Sequence, residues 1–168
     1  MKANKSFKPL NIAVVTFSDK RTRADDSTGD LLQKLMENDG HKVVEREVLS
    51  HDKYQIRALV SQWIAREDIQ VVVTNGGTGF ALDNVTQDAL MPLLDSHIDG
   101  FGELFRQLSF ADIGTSSVQS RAFAGLANRT LVAAVPGSGG AAELAWDSLL
   151  GPQLDSRQGP CNFVGHLS

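Results

Sequence analysis

The residues best placed to do chemistry lie between Thr74 and Leu90, in TNGGTGFALDNVTQDAL, where three of the first six are glycine. A glycine loop of this kind can bring backbone N–H groups to an anion, and the hydroxyls of Thr74 and Thr78 add donors. It lacks the GxGxxG helix opening of a dinucleotide site and the Gly-Lys-Ser/Thr of a nucleotide P-loop. A glycine turn that merely lets a strand and a helix pack fits the same residues equally well. Asp83 next to Asn84 suggests a metal, because Mg²⁺ is usually held by one or two carboxylates together with substrate phosphates. Asn84 also suits a helix start, with Gln87 three residues on as in a capping box. Asp52 carries the same two readings, helix cap or chemical carboxylate.

A second glycine-rich segment, PGSGG, runs from Pro136 to Gly140. Two such loops at strand ends point to a phosphate-bearing ligand. Arg106 and Arg121 could grip phosphate bidentately, although a lone arginine more often makes a surface ion pair. His41, His51, His97 and His166 show no metal-ligand spacing, and no motif puts a base beside Cys161. Metal-hydrolase and cysteine-nucleophile chemistry therefore lack support.

The elements that must position these residues can be read from periodicity. NIAVVTF (Asn11 to Phe17), IQVVVT and LVAAVPG are short apolar runs, the pattern of parallel strands buried on both faces. HKVVEREVL fits a further strand. Asp25, Asp26 and Ser27 sit where a helix begins, and Leu31, Leu32, Leu35 and Met36 share one of its faces. Gly40 suits the position just past its end. Ile56, Leu59, Val60, Trp63 and Ile64 give the stripe of a second helix, about Asp52 to Arg66. AAELAWDSLL predicts a helix after the last strand. Alternating strands and helices predict an α/β fold, a three-layer sandwich with a mostly parallel sheet. Ligands bind such sheets at the carboxyl ends of strands. The loops after Phe17, Thr74 and Val135 all leave such ends, so they could form one site.

Size and charge fit this picture. The 168 residues suit one domain, read as an extension over 1–10 and a single domain over 11–168. Net charge is -4, and no Lys/Arg-rich run follows the first eight residues, which argues against a nucleic-acid partner. One cysteine permits no intrachain disulfide. MKANKSFKPL has no apolar signal core, and no run approaches the roughly 18 apolar residues of a membrane span. The expectation is a cytoplasmic protein with no membrane partner.

Four segments in this order, TNGGTG, FGELFRQLSF, IGTSSVQSRAFAGLAN and PGS, resemble the MoaB/MogA family of molybdenum cofactor biosynthesis. The tail PQLDSRQGPCNF resembles the MoaB branch. The resemblance runs from about Asn11 to Phe163. It implies a molybdopterin-binding-domain-like fold and a homotrimer or homohexamer, with which the small apolar stretch Ala122 to Leu126 is compatible. Active members adenylylate molybdopterin: the terminal phosphate of the pterin attacks the α-phosphate of MgATP and releases pyrophosphate. The resemblance implies that Gly76, Gly77, Thr78 and Gly79 cradle nucleotide or pterin phosphate. Ser18, Asp19, Thr74, Ser109, Ser116, Pro136, Gly137 and Ser138 would complete the pocket. Asp52 falls on a family position whose carboxylate assists metal and phosphate chemistry.

The chain departs from that pattern at the acid. Active members read approximately GGTG, four residues, then an aspartate followed by VTP. Here Asn84 takes the aspartate's place, Gln87 the proline's, and Gly139 stands where a proline is often found. An amide brings no negative charge, and losing one electrostatic contributor costs ~10²–10⁴ in rate. Asp83 is a possible substitute, displaced by one residue. The expectation is a protein that binds molybdopterin, a nucleotide (ATP or AMP), or both, with little or no turnover. The alternative is a Mg-ATP-dependent molybdopterin adenylyltransferase, with Mg²⁺ as its cofactor.

Overall fold

The structure, a computed structural model, describes residues 5–167; residues 1–4 of the expected extension lie outside them. Strands β1 (Asn11–Phe17), β2 (Lys42–Leu49), β3 (Val71–Asn75), β4 (Ser96–His97), β5 (Phe123–Ala127) and β6 (Thr130–Val135) form one sheet in the order β2-β1-β3-β6-β5-β4. The four strands from β2 to β6 run parallel, while β5 is antiparallel to β6 and to β4. The sheet is therefore mixed, with its parallel part as expected.

Alternation along the buried strands divides the core in two. Ile12, Val14, Val71, Val73 and Ala133 pack against helices α1 (Ser27–Asn38), α4 (Asp99–Ile113) and α5 (Gly139–Ala145). Ala13, Val15, Val72, Val132 and Ala134 face α2 (Lys53–Ile64) and α3 (Thr86–Leu90). These are the three expected layers.

Several local expectations hold. Asp26 caps α1, Asp52 caps α2, and Gly40 takes a left-handed φ of +94° just past α1. Others are corrected. Asn84 does not open α3; Val85 stands at the cap, without a side-chain bond, and Gln87 closes no capping box. Ala122 to Leu126, the small apolar stretch, is largely buried within one chain. It enters β5 as an inner strand between β6 and β4, where small side chains meet the flanking layers. The last helix changes register at Trp146–Leu150, where Gly151 N–H reaches back five residues to the Trp146 carbonyl. Pro152, which has no N–H to donate, follows at once. Among the described residues no helix is long and apolar enough to cross a membrane.

β3 passes the chain to α3 on one face, and β6 passes it to α5 on the other. Their carboxyl ends stay paired as far as Asn75 and Val135, and beyond them the two chains turn to opposite faces, the place where sheets of this kind bind ligands.

Candidate functional site

Two consecutive left-handed glycines turn the chain out of β3: Gly76 at φ +96° and Gly77 at φ +69°. A Cβ at Gly76 would lie 2.5 Å from the Phe17 carbonyl oxygen, and one at Gly77 would lie 2.4 Å from Thr86 Oγ1. Neither position admits a side chain. The loop is tied down on three sides. Gly76 N–H donates to the Val135 carbonyl at 3.0 Å. Thr86 Oγ1 donates to the Gly76 carbonyl, and Asn84 Oδ1 accepts from Gly79 N–H, both at 2.8 Å. Among the described residues no acceptor takes the N–H groups of Gly77 and Thr78. Part of the expected N–H cradle is thus engaged internally, and these two remain for a ligand.

Gly77, Thr78, Gly79 and Asn84 form one wall of a cleft of about 300 Å³. Pro136, Gly137 and Ser138 form another, with Ser109 and Ser116 beyond. The two glycine loops touch, since a Cβ on Gly137 would sit 3.3 Å from Gly76 Cα. Thr28 Oγ1 donates to the Gly137 carbonyl at 2.8 Å and fixes the second loop on α1. Ser138 Oγ accepts from Ala141 N–H and caps α5. Phe105 and Ile113, which the motifs did not single out, give the cleft an apolar side. None of the side chains lining it is charged. An anion here would meet N–H groups and hydroxyls rather than cations.

The arginines serve neither reading made for them. Arg121 donates to the carbonyls of Gly79 (2.7 Å) and Asn84 (3.0 Å) and lies over the Phe80 ring at 4.8 Å. Arg106 donates to the Ala122 carbonyl at 2.8 Å. Both guanidiniums bind backbone carbonyls, so they brace the loops and are turned neither to a phosphate nor to a surface carboxylate. Asn84 is a bridge: besides accepting from Gly79, its Nδ2 donates to Asp83 Oδ1 at 2.8 Å.

Six expected residues, Gly76 and Asp83 among them, do not line the cleft. Thr74 is fully buried in β3, on the side of Val72, and its Oγ1 has no hydrogen-bond partner among the described residues. Strand alternation turns it toward α2 and α3. Ser18 Oγ accepts from the N–H groups of Lys20 and Arg21, in a local turn. Asp52 Oδ1 accepts from Tyr54 and Gln55 N–H as the α2 cap. Asp19 stands outside the cleft with Asp83 and His51, their ligand atoms all within 4.8 Å of one another. Sequence spacing could not show this cluster, because the fold assembles it from three segments.

Comparison with known proteins agrees with this fold. A family model described as "Probable molybdopterin binding domain" matches residues 13–156. The chain belongs to the MoCF_biosynth family. The Escherichia coli (strain K12) molybdenum cofactor biosynthesis protein B is 48% identical over 161 residues, covering 96% of this chain and 95% of the relative. A crystal structure of a molybdenum cofactor biosynthesis protein B superimposes with a TM-score of 0.86 at 43% identity, covering 89% of this chain and 94% of that one. The Pyrococcus furiosus tungsten cofactor synthesizing protein MoaB matches with a TM-score of 0.76 at 29% identity, over 85% and 91% of the two chains. The likeness to the MoaB/MogA family therefore spans almost the whole chain, and the cleft lies inside the MoCF_biosynth match.

Proposed function

We propose that the protein binds molybdopterin, with ATP or AMP as a further ligand, in molybdenum cofactor biosynthesis, and that it turns these ligands over little or not at all. The observation that carries this reading is the composition of the cleft wall. It offers the N–H groups of Gly77 and Thr78 and the hydroxyls of Thr78, Ser109, Ser116 and Ser138 (donors for a phosphate) but no carboxylate. The Asn84 oxygen accepts from Gly79, so it is engaged within the protein as well as uncharged. The wall does not fit Mg²⁺, which is usually held by one or two carboxylates beside the phosphate. The alternative, a Mg-ATP-dependent molybdopterin adenylyltransferase, draws support from the exposed carboxylate of Asp83 beside Asn84.

A homotrimer or homohexamer belongs to the same proposal. Leu104, Leu108, Phe110, Ile113 and Val118 are large apolar side chains left exposed along α4 and the turn after it.

Binding is tested by titrating the full chain with molybdopterin and following pterin fluorescence. Saturable binding is expected, weakened by at least about tenfold in Gly77→Ala, because a side chain at this φ displaces the cradle. Equal binding by native and Gly77→Ala protein would place the pterin elsewhere.

A further inference from the structure

Asp19 follows β1, His51 precedes the α2 cap, and Asp83 lies in the loop after β3. One ligand atom from each lies within 4.8 Å of the other two. From this cluster we infer a divalent-cation site beside the glycine loop, on the outer edge of the cleft. Two carboxylates and an imidazole suit Mn²⁺, Co²⁺ or Zn²⁺ better than Mg²⁺, which prefers an all-oxygen shell.

The carboxylates are already oriented. Asp19 Oδ1 accepts from His51 backbone N–H at 2.9 Å, and Asp83 Oδ1 accepts from Asn84 Nδ2 at 2.8 Å. Outer bonds of this kind aim metal ligands. Among the described residues no lysine or arginine pairs with either aspartate. Two anionic groups therefore face one another across a short gap without a protein cation.

The histidine supplies an observation of its own. Its Nδ1 is buried without a hydrogen-bond partner, and it lies 3.2 Å from the position a Gly77 Cβ would take. Packing against the glycine loop thus holds the ring in place, and the same residue supplies one of the three ligand atoms of the cluster. The arrangement also gives Asn84 a use. Its amide links Gly79 N–H, in the cleft wall, to a cation ligand just outside it.

The site rests on the cluster alone; its nearness to a bound phosphate rests on the proposed function. The test uses the full chain without pterin or nucleotide, titrated with Mn²⁺ while free ion is followed by electron paramagnetic resonance. One Mn²⁺ per chain is expected. Asp83→Asn and His51→Ala should weaken it by about tenfold or more, and Asn84→Ala by ~10–100-fold, the usual effect of losing an outer-shell bond. Asp83 is exposed, so Asp83→Asn probes the site without disturbing the core. Glu67→Gln, a change to an exposed acid outside the cluster, should bind as the native chain does. No binding, binding indifferent to both ligand variants, or displacement by an equal concentration of Mg²⁺ would overturn the assignment. A chain that takes up molybdopterin but not Mn²⁺ overturns this site alone; the converse overturns the pterin reading alone.

Discussion

Asn84 shows how one atom's identity redirects a site. An aspartate there could still accept from Gly79 N–H, but it would lose the donor that holds Asp83 and set two carboxylates side by side. His41 is the other residue whose chemistry the fold has altered. It is buried between the rings of Phe7 and Trp146, and its Nδ1 accepts from Leu10 N–H. Burial holds its pKa below the ordinary 6.5, against the pull of Asp39 and Asp155. Below about 6.5 the unfolded chain takes up this proton more readily than the folded one, so the contribution is complete above that pH and is lost as pH falls toward the folded value. Melting temperature should decline from pH 7 to pH 5 with a slope that flattens in His41→Phe. An unchanged slope would show that other groups govern the acid limb. At this scale the Asp52 cap was legible, because capping is a local rule. The partners of His51 were not, because contacts between distant segments leave no spacing.

The elements are joined by a buried polar network that positions the loops. Asp26, at the start of α1, accepts from Thr16 of β1, Gly29 N–H and Arg46 of β2, and Thr16 Oγ1 in turn accepts from Asn75 of β3. Asp26 is fully buried, and the Arg46 side chain is only 8% exposed. Asp26→Ala would strand that guanidinium, so urea unfolding should show a loss of about 3–5 kcal/mol. A change under ~1 kcal/mol, as for an exposed pair, would mean that water reaches Arg46. The sequence marked Asp26 as a helix start but could not show that a β2 arginine closes on it. α4 was not recognisable either. Its buried stripe runs Phe101, Gly102, Phe105 and Ser109, and glycine and serine dilute the apolar period. β4 has only two residues, and three of the five in β5 are alanine or glycine, so neither carries a strand pattern of its own.

At the scale of the molecule, β1, β3 and β6 were legible because doubly buried strands are continuous apolar runs. The antiparallel edge was not. The cleft was read in part: its two glycine loops follow from their places at strand ends, whereas its uncharged wall depends on where Arg121 and Asp83 turn. The apolar residues along α4 and its following turn are the surface expected between copies of the chain. Leu108→Glu with Val118→Glu should lower the mass measured by light scattering toward that of one chain. An unchanged mass would place the interface elsewhere. The central claim, binding with little turnover, is tested most directly by incubating the full chain with molybdopterin, ATP and Mg²⁺ and following adenylylated pterin and pyrophosphate, with Asn84→Asp in parallel. A native rate ~10²–10⁴ below that of an active family member, in protein that binds the pterin, is the expected result. A native rate matching that member would contradict the account and make the protein an adenylyltransferase.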